Sequence, residues 1–303
     1  MMKRILKWIG IGLGALLALL IVAVIATYLT GSNRLAKAPD VTVAVVTAPT
    51  DSDSVAYGEH LAKHISACSD CHGENLSGKV FLDDPTIGMI VAPNLTAGNG
   101  GVGADYSDED WAGAIRHGIG ADGRTLTLMP SNAYAHLSDE DLGALIAYLK
   151  SAPPLDNELP QRAISFPGTL IFGLLAYGDH AVSKINHANV GGEKPEQGAT
   201  AEYGEYLALI GSCHECHGAD LAGRSLEEAR NGPPAAPNLT QSGELGTWDE
   251  TDFIASMRSG STPSGRPLSD EMPWREYGQM SDVELAALWA YLTTLDPAIA
   301  ARQ

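Results

Sequence analysis

Aromatic residues and cysteines are scarce in this chain of 303 residues: 6% of its residues are aromatic and four are cysteine. Glycine and proline are plentiful, with 33 and 17 residues. This composition suits compact helices joined by long loops better than a large sheet, so we expect a mostly α-helical chain. Hydrophobic residues make up 45% of the sequence, which is enough for two cores of about 100 to 150 residues each.

Basic residues are also few, and they are unevenly distributed. Residues 38–303 contain all 37 acidic residues but only 14 of the 19 basic ones, and therefore have a net charge of −23. A body this acidic repels nucleic acid and anionic lipid, so no nucleic-acid partner is expected. Its field would steer a basic partner protein towards it; the alternative is that the charge serves only solubility.

The five remaining basic residues flank a long apolar run. Three of them precede residues 8–29, which contain no charge and are long enough to cross a bilayer as a helix. Basic residues before such a run keep the N-terminus in the cytoplasm. We predict a single-pass anchor in a bacterial inner membrane over residues 1–30, with the rest of the chain in the periplasm. The alternative is a cleaved signal peptide, for which Val24 and Ala26 are suitably small.

The rest of the chain contains one pattern twice. Residues 57–62 align with residues 203–208, and the register continues through two copies of Ala-Pro-Asn-Leu-Thr to two copies of Met-Pro. The sequence therefore indicates an internal duplication of one domain.

The duplication sets the predicted domain boundaries. Domain 1 covers residues 54–152, domain 2 covers residues 200–297, and residues 153–199 form a linker. Residues 31–53, rich in Pro, Thr, Asp and Ser, are expected to form a flexible stalk. Within the linker, residues 164–177 are apolar but too short to span a bilayer, so we expect them to pack on a domain or on a partner.

All four cysteines belong to two copies of the motif Cys-x-x-Cys-His. The copies are Cys68, Cys71 and His72, and Cys213, Cys216 and His217. The motif predicts covalent haem attachment, in which two thiols bond the haem vinyl groups and the histidine ligates the iron. Three other roles fit the sequence less well. A disulfide would not need the histidine that follows each pair. A thioredoxin-like redox pair would need a βαβ unit and a zinc site would need further ligands nearby, and the sequence shows neither. We therefore predict two covalently bound haem c groups.

A methionine is the predicted second axial ligand of each iron. Met129 and Met272 correspond to each other in the two copies, and each precedes a proline. Met89, Met257 and Met280 have no methionine counterpart. A methionine is more often a core residue than a ligand, so packing alone is the alternative role.

Four more residues are predicted to support the haems. Pro93 and Pro237 begin loops that could supply a carbonyl for the second ring N–H of the axial histidine; the alternative is two turn prolines. Arg116 and Arg258, duplicated in otherwise acidic domains, could neutralise buried haem propionates; the alternative is a surface position.

Each copy resembles the class I cytochrome c family in having a Tyr-Gly helix, the Cys-x-x-Cys-His motif, a methionine-bearing loop and a C-terminal helix. The resemblance implies an all-α fold of two tandem class I cytochrome c domains after an N-terminal transmembrane helix. It also implies that Gly58 and Gly204 cross closely with the last helix of their domains. The run Ala-Pro-Asn-Leu-Thr followed by Asp-Glu-Asp-Trp-Ala-Gly is similar to cytochrome subunits of membrane-associated alcohol and polyol dehydrogenases.

The resemblance implies an electron carrier and not an enzyme. A respiratory donor, either a dehydrogenase or a quinol-oxidising complex, would reduce one haem, and a terminal oxidase or a soluble cytochrome would oxidise the other. Three alternatives are a di-haem peroxidase with an open iron position, the cytochrome subunit of a dehydrogenase complex, and a redox-sensing anchor without an electron partner.

Overall fold

The computed structural model describes residues 2–224 and 236–296. Helix α1 (Met2–Ala36) comes first; it is long and apolar enough to span a membrane, and its most apolar stretch is not buried against the rest of the chain. Two helical domains follow, joined by a linker with secondary structure of its own. The prediction of a mostly helical chain with one N-terminal apolar helix is therefore confirmed.

The first domain consists of short helices around long loops. Its elements are α2 (Ser52–His60), α3 (Cys68–His72), β1 (Lys79–Asp84), β2 (Gly88–Ala92), α4 (Asp108–Ala112), α5 (Ser131–Tyr134) and α6 (Asp139–Ser151). Helices α2 and α4 each continue through one π-helical turn, Leu61–Ile65 and Gly113–His117.

The linker and the second domain complete the chain. The linker contains β3 (Ala163–Ile164), α7 (Phe166–Leu170) with a π-helical turn (Ile171–Leu175), a 3-10 turn (Tyr177–Asp179) and α8 (Ala181–Lys184). The second domain contains α9 (Ala201–Ile210), α10 (Cys213–His217), a 3-10 turn (Glu244–Thr247), α11 (Glu250–Ser259), α12 (Trp274–Tyr277) and α13 (Asp282–Thr294).

A small antiparallel sheet departs from the all-α prediction, which is correct only in part. Its strands lie in the order β1, β2, β3, so the linker adds an edge strand to the hairpin of domain 1. In the hairpin turn, Asp84 Oδ1 accepts the backbone N–H groups of Thr86 and Ile87. Neither β1 nor β2 alternates polar and apolar residues strictly, so the sequence pattern did not identify them as strands.

Each domain is built on a close crossing of its first and last helices. A Cβ atom at Gly58 of α2 would lie 1.9 Å from the carbonyl oxygen of Ala144 in α6. A Cβ atom at Gly204 of α9 would lie 1.9 Å from the carbonyl oxygen of Ala287 in α13. Only glycine allows two helix backbones to approach this closely. The predicted crossings are therefore confirmed.

The segment between α1 and α2 lies along the first domain instead of standing free of it. Ala38 donates its N–H to the carbonyl oxygen of Gly123 at 2.8 Å. Val46 is only 7% exposed and belongs to the hydrophobic core, and Val43 packs against that core. A flexible stalk was predicted for residues 31–53 from their small polar residues and prolines, but Val43 and Val46 gain free energy by packing on the domain.

The two domains contact each other through residues that occupy equivalent positions in the duplication. Tyr206 donates its hydroxyl to Asp141 Oδ2 at 2.6 Å, and His60 Nε2 lies 2.9 Å from Glu284 Oε2. His60 corresponds to Tyr206, and Asp141 corresponds to Glu284. Ser66 adds a hydroxyl hydrogen bond to the Ile210 carbonyl oxygen at 3.3 Å. The interface thus has approximate two-fold symmetry with different chemistry in its two halves.

The helix crossing leads to a first prediction. Gly58→Ala should lower the free energy of unfolding by about 3 kcal/mol, because the new methyl group overlaps the Ala144 carbonyl and forces α2 away from α6. Urea unfolding of the full chain, followed by far-ultraviolet circular dichroism, measures the loss. Gly178→Ala is the control, because no atom lies within 4 Å of its added Cβ. An equal, small effect of both substitutions would contradict the crossing.

The interface leads to a prediction about pH. Burial would raise the pKa of Glu284, but hydrogen bonds from the His60 ring and the Ser281 backbone outweigh it and lower that pKa. The carboxylate therefore contributes stability at neutral pH, which is lost as the pH falls through the lowered pKa. Glu284→Gln should cost about 1–2 kcal/mol of unfolding free energy at pH 7, with the difference from wild type shrinking at acid pH.

Urea unfolding between pH 7 and pH 3 measures this difference. Glu205→Gln, an exposed carboxylate on α9, is the matched control and should leave the pH profile unchanged. A gap between wild type and Glu284→Gln that stays constant down to pH 3 would rule out this role of Glu284.

Candidate functional site

The two Cys-x-x-Cys-His motifs form matching single-turn helices, α3 and α10. Each follows a residue in the left-handed conformation, Ala67 with φ 46° and Ser212 with φ 59°. Each is followed by a glycine with positive φ, Gly73 at 79° and Gly218 at 84°. A non-glycine residue in the left-handed region costs roughly 1–2 kcal/mol. Because a left-handed residue precedes the motif in both domains, we infer that the surrounding fold imposes this turn.

Each motif histidine is held by a proline carbonyl. His72 Nδ1 lies 2.9 Å from the carbonyl oxygen of Pro93, and His217 Nδ1 lies 2.9 Å from that of Pro237. A carbonyl can only accept, so Nδ1 carries the proton and Nε2 keeps its lone pair. Burial lowers the pKa of both histidines, which keeps the rings neutral, as a metal ligand must be. The geometry suits the predicted ligation, which itself stays a prediction.

The four thiols lie in surroundings that do not suit a redox-active cysteine pair. Burial, followed by the neighbouring cysteine of the motif, raises the pKa of Cys68 and of Cys213 to about 12. Burial also raises the pKa of Cys71 and Cys216. A thioredoxin-like pair needs a lowered thiol pKa, because the thiolate is the nucleophile. Among residues 2–224 and 236–296, no cluster of three or more His, Cys, Asp or Glu side chains suits a metal ion such as zinc.

An apolar cavity adjoins the motif of domain 1. Its empty volume of about 1500 Å³ includes open solvent at its mouth, and His72, both thiols of the motif and Met129 line it. Much of the remaining wall is apolar: Phe81, Ile90, Leu95, Trp111, Ile115, Leu126, Leu145 and Leu149. Its apolar walls, paired thiols and neutral histidine fit a haem group attached through Cys68 and Cys71.

The methionine loops have the same backbone geometry in both domains. Ser131 donates its N–H to the Met129 carbonyl oxygen at 2.8 Å, and Trp274 donates to that of Met272 at 2.7 Å. The intervening prolines have φ, ψ angles of −79°, 53° and −75°, 55°. These values describe an inverse γ-turn between each methionine and the helix that follows.

The other candidate methionines have different surroundings. Met257 and Met280 are 6% and 2% exposed and belong to the hydrophobic core. Met89 lies on β2, paired with β1 and β3, and does not line the cavity. Met129 and Met272 therefore remain the candidate iron ligands that correspond to each other in the two domains.

Arg116 lies away from the cavity of domain 1, whereas the predicted role of Arg258 beside a haem propionate stays a prediction. Arg116 is 2% exposed, donates from Nη2 to the Leu137 carbonyl oxygen at 2.6 Å, and pairs with Asp139 at 2.7 Å. Arg258 donates to the Gly278 carbonyl and pairs with Asp282 at 2.7 Å. Both arginines tie the middle helix of their domain to the start of its last helix, and Arg116 does not line the cavity. The two duplicated arginines thus make corresponding contacts in the two domains.

Two arginines that the sequence analysis did not select line the cavity of domain 1. They are Arg124 and Arg162; the Arg162 guanidinium donates to Thr127 Oγ1, and the buried Nε of Arg124 has no hydrogen-bond acceptor. Burial, followed by the nearby Arg124 charge, lowers the pKa of Arg162. Arg124 matches Arg266 in the duplication, so the sequence offered an indication for it. Arg162 belongs to the linker and left no such indication.

The cavity of domain 1 extends to the second domain. Ser212, Pro273 and Tyr277 contribute to its lining. Tyr277 donates its hydroxyl to the Gly211 carbonyl oxygen at 2.7 Å, as the equivalent Tyr134 does to Ser66 at 2.8 Å. The backbone leading into each motif is thus fixed by a tyrosine, and the two motifs lie on facing sides of the domain interface.

Comparison with known families gives one match for each domain. The family model of cytochrome c matches residues 55–153. The model described as cytochrome c oxidase, cbb3-type, subunit III matches residues 199–292. Each match covers a motif histidine together with its methionine loop.

Similar curated proteins are named as cytochromes. The fructose dehydrogenase cytochrome subunit of Gluconobacter japonicus is 30% identical over 88% of this chain and 57% of its own length. The cytochrome c subunit of a quinone-dependent alcohol dehydrogenase from Gluconobacter oxydans is 30% identical over 69% of this chain and 48% of its own length. A "Diheme cytochrome c-type" protein of Cereibacter sphaeroides is 29% identical over 77% of this chain and 82% of its own length. The chain thus spans about half the length of the two Gluconobacter subunits.

The arginine contacts predict different losses of stability for substitutions of Arg116 and Arg258. Arg116→Gln should lower the free energy of unfolding by about 2–3 kcal/mol, because it removes a charged hydrogen bond at a buried site. Arg258→Gln should cost at most about 1 kcal/mol, because that pair is exposed. Urea unfolding of the two variants measures the difference. Equal losses would contradict the unequal burial of the two guanidinium groups.

Proposed function

We propose that this chain, whose two domains belong to the cytochrome c family, carries electrons between membrane-associated redox proteins on the periplasmic side of a bacterial inner membrane. The observation that carries the proposal is the repeated site: each domain pairs a single-turn Cys-x-x-Cys-His helix, held by a proline carbonyl, with a Met-Pro turn. Two equal sites with two internal ligands each suit electron exchange better than substrate binding.

The residues of each site have separate roles in this proposal. A bound haem c would supply an iron that cycles between its ferrous and ferric states. Cys68 and Cys71, or Cys213 and Cys216, would hold that group covalently. His72 and His217, whose Nδ1–H is held by a proline carbonyl, would bind the iron through Nε2, and Met129 and Met272 would supply its second ligand.

Arg124 and Arg162 are the proposed partners of the haem propionates in domain 1. Both lie in the cavity wall, and the unpaired Nε of Arg124 needs an acceptor. Carboxylates are the strongest acceptors for a guanidinium group. These two cations would offset the charge that a pair of propionates brings into an apolar cavity.

The contact between the domains supports electron exchange between the two sites. Ser66 and Ile210, which are hydrogen-bonded across the interface, lie two and three residues before Cys68 and Cys213. Tyr277 of domain 2 lines the cavity of domain 1. Electrons would therefore enter at one site and leave at the other without dissociation of the domains.

The proposed partners follow from the relatives and from the charge. The relatives are named as cytochrome subunits of dehydrogenases, which supports a dehydrogenase as electron donor; a quinol-oxidising complex is the other donor considered. A terminal oxidase or a soluble cytochrome would accept the electrons. The net charge of −23 over residues 38–303 favours a basic docking surface on at least one partner. Residues 8–29 would hold the carrier at the membrane with its N-terminus in the cytoplasm.

The test compares methionine variants of the purified full chain. Met129→Leu and Met272→Leu should each remove part of the weak long-wavelength absorption band of methionine-ligated ferric haem and lower the reduction potential of one haem, because each removes one sulfur ligand. Met89→Leu is the control and should change neither, because Met89 does not line the cavity of domain 1. Haem content per chain, measured in the same samples, should be two.

Other outcomes would point to different functions. A wild-type spectrum with one high-spin haem, together with rapid turnover of hydrogen peroxide, would indicate a di-haem peroxidase. In the second case, both haems are low-spin, but membranes supplied with dehydrogenase substrates do not reduce them. This result would contradict the carrier function and favour a redox sensor.

A further inference from the structure

The linker contains a short helix of unusual composition, Phe166–Leu175, which we call the linker helix. No charged residue occurs between Arg162 and Asp179, although the body of the chain is strongly acidic. The linker helix is apolar but has only ten residues, which is too short to span a bilayer. Phe166 is 49% exposed and Leu175 is 82% exposed. The described part of the chain therefore leaves these apolar side chains of the linker helix uncovered.

The linker helix packs directly against α1. A Cβ atom at Gly31 would lie 2.8 Å from the Thr169 carbonyl oxygen, and one at Gly173 would lie 2.5 Å from the Gly31 Cα atom. Such close approach through small residues is typical of helix pairs in membranes. Tyr28 also stacks on Phe166, with ring centroids 5.3 Å apart. The contact holds the linker helix at one height along α1.

That height corresponds to the end of the apolar run. Residues 8–29 form about 33 Å of helix, close to the hydrocarbon thickness of about 30 Å. Tyr28 and Gly31, which contact the linker helix, therefore lie where α1 leaves the hydrocarbon. Aromatic residues such as Tyr28 are typical of that boundary. Arg34 follows within one turn and lies over the Tyr177 ring at 5.0 Å. In a membrane-spanning α1 this pair would lie in the headgroup region.

We propose that the linker helix is a second membrane contact, lying in the boundary between headgroups and acyl chains of the leaflet from which α1 emerges. The inference rests on the proposed membrane anchor. Its partner is lipid because its exposed apolar side chains continue the apolar surface of α1, which is itself unburied. An acidic body is repelled by anionic headgroups, so an apolar contact supplies attraction that charge does not.

This contact would set the orientation of domain 1 on the membrane. The linker helix follows directly after β3, which pairs with β2. Ile90 and Ala92 of β2 line the cavity of domain 1. Two attachments, α1 and the linker helix, would hold this cavity in a defined position above the bilayer, whereas α1 alone would leave the domain free to rotate.

Photocrosslinking in proteoliposomes tests the proposal. The photoreactive residue p-benzoylphenylalanine is placed at Leu175, at Leu20 within the apolar run, or at Val283 on α13, which is 49% exposed. The purified full chain is reconstituted into vesicles of phosphatidylethanolamine and phosphatidylglycerol and irradiated, and phospholipid adducts are quantified by mass spectrometry. We expect adducts at Leu20 and Leu175 in comparable yield and none at Val283.

The outcomes separate this inference from the proposed anchor. Adducts at Leu20 without adducts at Leu175 would overturn the lipid contact and leave the anchor intact. Absence of adducts at Leu20 would overturn both. If irradiation in native membranes gives a protein adduct at Leu175 in place of lipid, the linker helix is a docking surface for a partner subunit and the proposal is wrong.

Discussion

The rest of each domain depends on one close contact between helix backbones. Gly58 and Gly204 let the first and last helices cross where any side chain would overlap a carbonyl oxygen. With the two ends joined there, the intervening chain of domain 1 forms long loops around an apolar cavity. The same crossing places Leu145 and Leu149 of α6 in the cavity wall, next to the motif that follows α2.

Duplication also explains how the two domains fit together. Equivalent positions meet across the interface, because a surface that packs against its own copy does so most simply about a two-fold axis. The pairs have diverged in chemistry: one is a tyrosine with Asp141, and the other is a histidine with Glu284. The arrangement brings the two cysteine motifs to facing sides of the interface, which would suit the proposed carrier with two redox sites. Electron exchange and domain packing would therefore use the same surface.

The linker contributes more to the structure than a simple connection would. It adds a strand to the hairpin of domain 1, brings Arg162 into the cavity wall, and packs a short apolar helix on the end of α1. These contacts join the proposed anchor, the sheet and the cavity into one continuous unit. The position of the first haem site relative to a membrane would follow from this unit.

Local and repeated features could be predicted from the amino-acid sequence: the apolar N-terminal helix, the duplication, the Cys-x-x-Cys-His motifs and the matched Met-Pro pairs. These are short patterns, and the chemistry of each depends on neighbours along the chain. Only the tertiary structure assigned Arg116 to Asp139 and Arg124 to the cavity, since both arginines are duplicated and a sequence records repetition without the partner. The contacts of Arg162, β3 and the linker helix were likewise decided by folding, because their partners lie far away along the chain.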